Sequence, residues 1–138
     1  MEILQMRSKK VVNFISGHLD ITQAEFDMHY RPSIDRAMAA ATPSRSIAQN
    51  EYFVVGDARG ADTLAQQYLW GRTEAVVVYH MFTSPRNNPG FSTRGGFQSD
   101  VERDTQMTLD SDRDIAWVRP GREKSGTQAN CNRRSLLG

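Results

Sequence analysis

Apolar runs alternate along the chain with stretches of helical spacing. Val11-Val12-Asn13-Phe14-Ile15 is apolar and β-branched. It predicts a buried strand that ends in Ser16-Gly17-His18. Thr22-Gln23-Ala24-Glu25 has the spacing of a capping box. Phe26, Tyr30, Ile34, Ala37 and Met38 then recur at helical spacing, and Pro32 inside that pattern predicts a kink near Arg31. Thr42-Pro43-Ser44-Arg45-Ser46 ends the helix and starts a polar loop. Tyr52-Phe53-Val54-Val55 is a second strand. Leu64, Ala65, Tyr68 and Leu69 place a helix over 61–70, and Gly71 stops it. A third strand is expected at 75–79. Residues 80–97 read as one long irregular stretch, because Pro85, Pro89, Gly90, Gly95 and Gly96 crowd it. A helix from Ser99 to about Leu109, a fourth strand at 114–118 and a last helix opening at Ser125-Gly126-Thr127 complete the pattern.

Strands alternating with helices predict an α/β chain with a mainly parallel sheet and helices on both faces. In such sheets ligands bind outside the carboxyl ends of the strands. Four segments fall at that edge: Ser16-Gly17-His18, the turn Gly56-Asp57-Ala58-Arg59-Gly60-Ala61-Asp62, the stretch from His80, and 119–127. The turn is the organising one. Glycines at both its ends let the backbone approach a ligand without a Cβ in the way. The helix behind it offers N–H groups and a partial positive charge to an anion. Asp62 is placed to cap that helix. Arg59, between the glycines, carries a fork that suits phosphate or carboxylate. The alternative is a tight turn with Arg59 in solvent.

Length and charge narrow the partners. A chain of 138 residues fits one domain with a real core. A formal net charge of +1 gives no global pull towards nucleic acid. Cys131 is the single cysteine, which excludes an internal disulfide or a multi-cysteine zinc site. No apolar run approaches the ~20 residues that span a membrane, and residues 1–10 lack an apolar signal core. The expectation is a cytoplasmic protein with a small-molecule ligand, no metal and no cofactor.

Ser16-Gly17, the turn from Gly56 to Asp62, and Ser125-Gly126-Thr127 together resemble the SLOG superfamily of small Rossmann-like proteins. Its members commonly show a strand ending in Ser/Gly, a Gly-x-Arg-Gly-Ala-Asp-like turn, and a late Gly-Thr or Ser-Gly-Thr turn that opens a helix. Arg103-Asp104 and Met107 look like a variant of an Arg-Asn…Met pattern in one branch. The resemblance covers about residues 11–132. It implies a nucleotide or nucleotide-derived ligand and fits a dimer; some members cleave N-glycosidic bonds. Glu102-Arg103-Asp104, then Ser111-Asp112, an apolar strand and a glycine-containing helix start are also similar to the nucleoside deoxyribosyltransferase and 2′-deoxynucleoside 5′-phosphate N-hydrolase group. That resemblance implies that Asp104 binds or protonates the base. It also implies a Glu in the last helix acting at the anomeric carbon. Asn130 stands there instead, no Glu follows Glu123, and an amide cannot serve as an anionic nucleophile.

The fold expected is therefore a single-domain, Rossmann-like three-layer α/β sandwich over 11–138, with 1–10 as an N-terminal arm. Asp104 and His18 are the candidate catalytic groups. Ser16, Gly17, Gly56, Arg59, Gly60, Asp62, Arg103, Ser125, Gly126, Thr127 and Asn130 are the candidate ligand-binding residues. Asp100 and Asp104, four apart, share a helix face. His80 and the cations of Arg86-Asn87-Asn88 and Arg94-Gly95-Gly96 are weaker candidates, the last two as parts of a lid. The favoured function is nucleotide or nucleoside-phosphate binding at the sheet edge; the alternative is hydrolysis or transfer at the N-glycosidic bond.

Overall fold

A computed structural model describes residues 9–40 and 49–137. The polar loop expected at 42–46 and residues 1–8 of the expected arm lie outside the described residues. The elements are β1 (Lys9–Ser16), α1 (Gln23–His29), α2 (Arg31–Ala40), β2 (Gln49–Val55), α3 (Ala61–Leu69), β3 (Val76–Met81), β4 (Ser92–Phe97), α4 (Asp100–Asp110), β5 (Arg113–Ala116) and α5 (Gly126–Leu137). The strands form one sheet in the order β4-β3-β2-β1-β5, and every neighbouring pair is parallel.

Strand alternation sorts the core into two layers. Ile15, Phe53, Val55, Val76 and Val78 face one way and pack with Phe26, Ile34, Ala65 and Leu69 of α1–α3 and with Tyr30 between α1 and α2. Phe14, Val54 and Tyr79 face the other way and pack with Met107 of α4. The chain is thus a single-domain α/β three-layer sandwich of Rossmann-like type. Succession runs outward from β1 to β4, then β5 returns to the far side of β1. That reversal puts a crevice beside the carboxyl end of β1, where open parallel sheets take ligands.

Three element expectations change. The single kinked helix is two helices, parted at Tyr30 (φ −116°, ψ −47°). Pro32 sits in the first turn of α2, where its missing N–H costs little. The capping box at the start of α1 is present in both directions, at 3.1 and 3.0 Å. The stretch 80–97 is not irregular throughout, since β3 continues to Met81 and residues 92–97 form β4. β4 is an edge strand with five of its six residues exposed and only Phe97 buried. It lacks the apolar alternation that marks a half-buried strand. Finally, β5 stops at Ala116, so Trp117 and Val118 lie beyond the sheet.

Among the described residues no helix is long and apolar enough to cross a membrane.

Candidate functional site

Close approach at three glycines builds the site. Gly60 takes φ +78°, and a Cβ there would lie 2.4 Å from the His18 carbonyl oxygen. The Ala61 N–H donates to that same carbonyl at 3.1 Å. A Cβ on Gly17 would meet the Ala61 Cβ and the Tyr30 hydroxyl, each at 2.4 Å. That hydroxyl donates to Ser16 O (2.8 Å) and accepts from Trp117 N–H (3.0 Å). A Cβ on Gly56 would lie 2.6 Å from Asp62 Oδ2 and 3.2 Å from Arg103 Cζ. The exits of β1 and β2 are therefore packed closely against the start of α3, and the Tyr30 hydroxyl ties the β5 exit to that of β1.

Above them opens a cavity of about 300 Å³. Its walls come from the β1 exit (Ser16, Gly17, His18), the glycine turn (Ala58, Asp62), α4 (Asp100, Arg103, Asp104) and the start of α5 (Ser125, Gly126, Thr127, Asn130). Phe14 and Met107 give it an apolar part, and Arg86 and Arg122 also reach it. The sequence candidates thus converge, apart from three members of the glycine turn. Gly56 and Gly60 shape it from behind, and Arg59 is exposed and does not line it.

On the turn side the charges neutralise one another. Asp57 is 1% exposed. It accepts from the Arg86 backbone N–H (2.7 Å), Arg86 Nη2 (2.8 Å) and Arg103 Nη1 (2.9 Å). Burial pushes its carboxyl up, but the bonds and charges of Arg86 and Arg103 outweigh that and hold it below the usual 3.8. Asn87 donates to the carbonyls of Asp57 (3.2 Å) and Ala58 (3.4 Å). Residues 82–91 are therefore fastened over the turn. Arg103 also reaches Asp104 Oδ1 (3.1 Å) and Asp100 Oδ1 (3.3 Å). Burial raises the Asp104 carboxyl, against the pull of Arg103 and of neighbouring Asn130.

Asp62 is not the helix cap that its position suggests. Gly60 is the N-cap, without a side-chain bond. The Asp62 carboxylate turns inward and accepts from the Ala58 N–H at 3.1 Å. Burial, only partly offset by Arg103, pushes it up to about 7.

On the β1 side polar groups are left open. Ser16 Oγ and His18 Nδ1 are buried with no hydrogen-bond partner among the described residues. His18 Nε2 accepts from the Arg119 backbone N–H at 2.9 Å, so a neutral ring carries its proton on Nδ1. Burial, then the charges of Arg122 and Arg119, hold His18 below 6.5. The first turn of α5 brings N–H groups and a positive dipole end to the same cavity. Arg119 bridges Glu25 (2.8 Å) and Asp20 (3.1 Å), and Arg122 reaches Asp20 (3.3 Å). These pairs fix the 119–125 segment beside His18.

Other candidates lie elsewhere. His80 is buried under β4, where a Cβ on Gly95 would meet its ring at 2.1 Å. His29 stacks on Trp117, with centroids 4.0 Å apart. Arg94 pairs with Asp110 from the exposed β4, so it is not a lid cation. Arg122 was missed, since nothing in a polar turn marks one arginine over another. Among the described residues no group of His, Cys, Asp and Glu is placed to hold a metal ion.

Comparison with protein-family profiles, with curated protein sequences and with solved structures gave no match.

Proposed function

We propose that the protein binds a nucleotide or nucleoside-phosphate-derived ligand at the carboxyl edge of the sheet. One observation carries this reading. Ser16 and His18 line the same cavity as the start of α5, and Ser16 Oγ and His18 Nδ1 are buried without hydrogen-bond partners among the described residues. A buried donor left unmade costs about 1–3 kcal/mol, and a phosphate oxygen brought within reach of both would satisfy them. The exposed fraction of Arg122 supplies charge without deep burial. The opposite wall, with Asp62, Asp100 and Asp104, offers polar groups to sugar hydroxyls and to the base. A cavity of about 300 Å³ fits the lower end of small-ligand sites. The motif resemblance to the SLOG superfamily supports the same ligand class, and with it a cytoplasmic homodimer that sedimentation would check. The near-neutral charge supports a small ligand over a nucleic acid.

Thermal shifts with a panel of nucleoside 5′-monophosphates test this reading. A raised Tm with at least one of them, and a smaller rise with its parent nucleoside, is the expected result. No shift with any of them at millimolar concentration overturns it.

A second reading is cleavage at the N-glycosidic bond. It is favoured by Asp104, a carboxyl raised by burial and touched by Asn130. Departure of the base needs an acid, and the cationic sugar needs stabilisation. Asn130 offers no charge for the second task. Binding without efficient turnover is therefore the expected outcome. Free base released during incubation with the same panel, and abolished by Asp104→Asn, would establish turnover.

A further inference from the structure

The glycine turn holds two buried carboxyls that are bonded differently. Asp57 is saturated by two guanidinium groups and a backbone N–H. Asp62, 8% exposed, receives one hydrogen bond among the described residues, from Ala58 N–H to its Oδ2. No cation among the described residues is bonded to it, and it lines the cavity. A buried carboxylate without a cation or several donors is costly, and the neutral acid is the cheaper state. We propose that Asp62 meets the ligand as a neutral carboxylic acid, its Oδ1 donating a hydrogen bond to a ring nitrogen or carbonyl oxygen of the base. The ligand's identity rests on the nucleotide reading above; the protonation state does not.

The surroundings support this assignment. Asp57 of the same turn, Arg103 and Asp104 of α4, and Arg86 of the 82–91 connection act on Asp62. Tyr30 after α1 acts on it too, and His18 after β1, Asp100 of α4 and Arg122 of the 119–125 segment line the same cavity. The two guanidiniums are engaged with Asp57, while the Asp57 and Asp104 carboxylates oppose a third negative charge. Asp104, bonded to Arg103, is the better anion of the cavity. Asp62 is the better acid. The proton falls on Oδ1, because Oδ2 is committed to accepting from Ala58.

Calorimetric titration of a nucleoside 5′-monophosphate into the unaltered protein and into Asp62→Asn, from pH 6 to 8, tests the ligand contact. The amide keeps an acceptor for Ala58 and cannot titrate. The ratio of the two affinities cancels the titration of the phosphate and of His18. With the carboxyl centred near 7, the advantage of Asp over Asn shrinks about tenfold across that range. A ratio constant with pH overturns the proposal. So does a tenfold loss in Asp62→Asn that grows with pH, which would mark a carboxylate acceptor.

Urea unfolding of the same two proteins tests the protonation state without ligand. A folded-state value raised above the unfolded one adds stability at low pH and loses it as pH rises through the folded value. The unaltered protein should lose stability relative to Asp62→Asn between pH 5 and 8. Equal pH dependence overturns the neutral acid. If that loss appears but no nucleotide binds, the nucleotide reading falls and takes the ligand contact with it.

Discussion

The two sides of the cavity hold similar polar groups and treat them oppositely. On the turn side Asp57, Arg86, Arg103 and Asp104 satisfy one another within 3.3 Å. On the β1 side Ser16 Oγ and His18 Nδ1 have no partner among the described residues, although both residues are nearly as buried as Asp57 and Arg103. Charges so completely paired hold the fold and have little left to offer a ligand. Buried donors left open weaken the fold, and a site that binds something is a reason to keep them. The same contrast recurs within the turn, where Asp57 is held below its usual value and Asp62 is pushed above it.

Asp57→Ala should break the paired side most. Removing the buried carboxylate leaves buried Arg103 with only Asp100 and Asp104 as partners among the described residues and half-exposed Arg86 in solvent, at a cost of about 3 kcal/mol, read as a fall in urea midpoint. Its contribution is present above pH 4 and lost as the pH falls through the depressed value. A loss under 1 kcal/mol would mean that Arg86 and Arg103 find other partners and that the contrast is false.

Gly60→Ala comes next. Its φ of +78° and the His18 carbonyl 2.4 Å from the added Cβ predict a loss of about 1–3 kcal/mol from backbone strain, plus a displaced β1 exit. Unchanged stability would mean that the turn is free to move away from His18.

Ser16→Ala sharpens the comparison in the other direction. Deleting a buried hydroxyl with no partner should leave the urea midpoint unchanged or raised. It should weaken nucleoside monophosphate binding about tenfold, or about 1.4 kcal/mol. Lost stability with unaltered binding would move Ser16 to the structural side.

Arg59→Ala is the smallest. The side chain is exposed and outside the cavity. Stability should stay within about 0.5 kcal/mol, with affinity unchanged. A tenfold loss of binding would return Arg59 to the site that its place between glycines suggests.

The fold was largely legible because it depends on local pattern. Val11 to Ile15, Tyr52 to Val55 and Ala75 to Tyr79 are apolar enough to read as strands, and Thr22, Ser99 and Gly71 punctuate the helices. β4 was not legible, because an exposed Ser-Thr-Arg-Gly-Gly edge looks like a loop until its pairing with β3 is known. The convergence of Ser16, Asp104 and Thr127 follows from topology, which the alternation of strands and helices predicts. The division of labour among the charged groups does not. Arg86 finds Asp57 across 29 residues, and Arg103 finds it across 46. Sequence spacing says nothing about which carboxyl of the turn wins those cations, so Asp62 read as a cap.

The account turns on the open donors of the β1 side meeting a phosphate. Calorimetry of one nucleoside 5′-monophosphate and its parent nucleoside against the unaltered protein isolates that contact. The account predicts that the phosphate strengthens binding at least tenfold, or about 1.4 kcal/mol. Equal affinity for the two would contradict it, because Ser16, His18 and the start of α5 would then have no anion to hold.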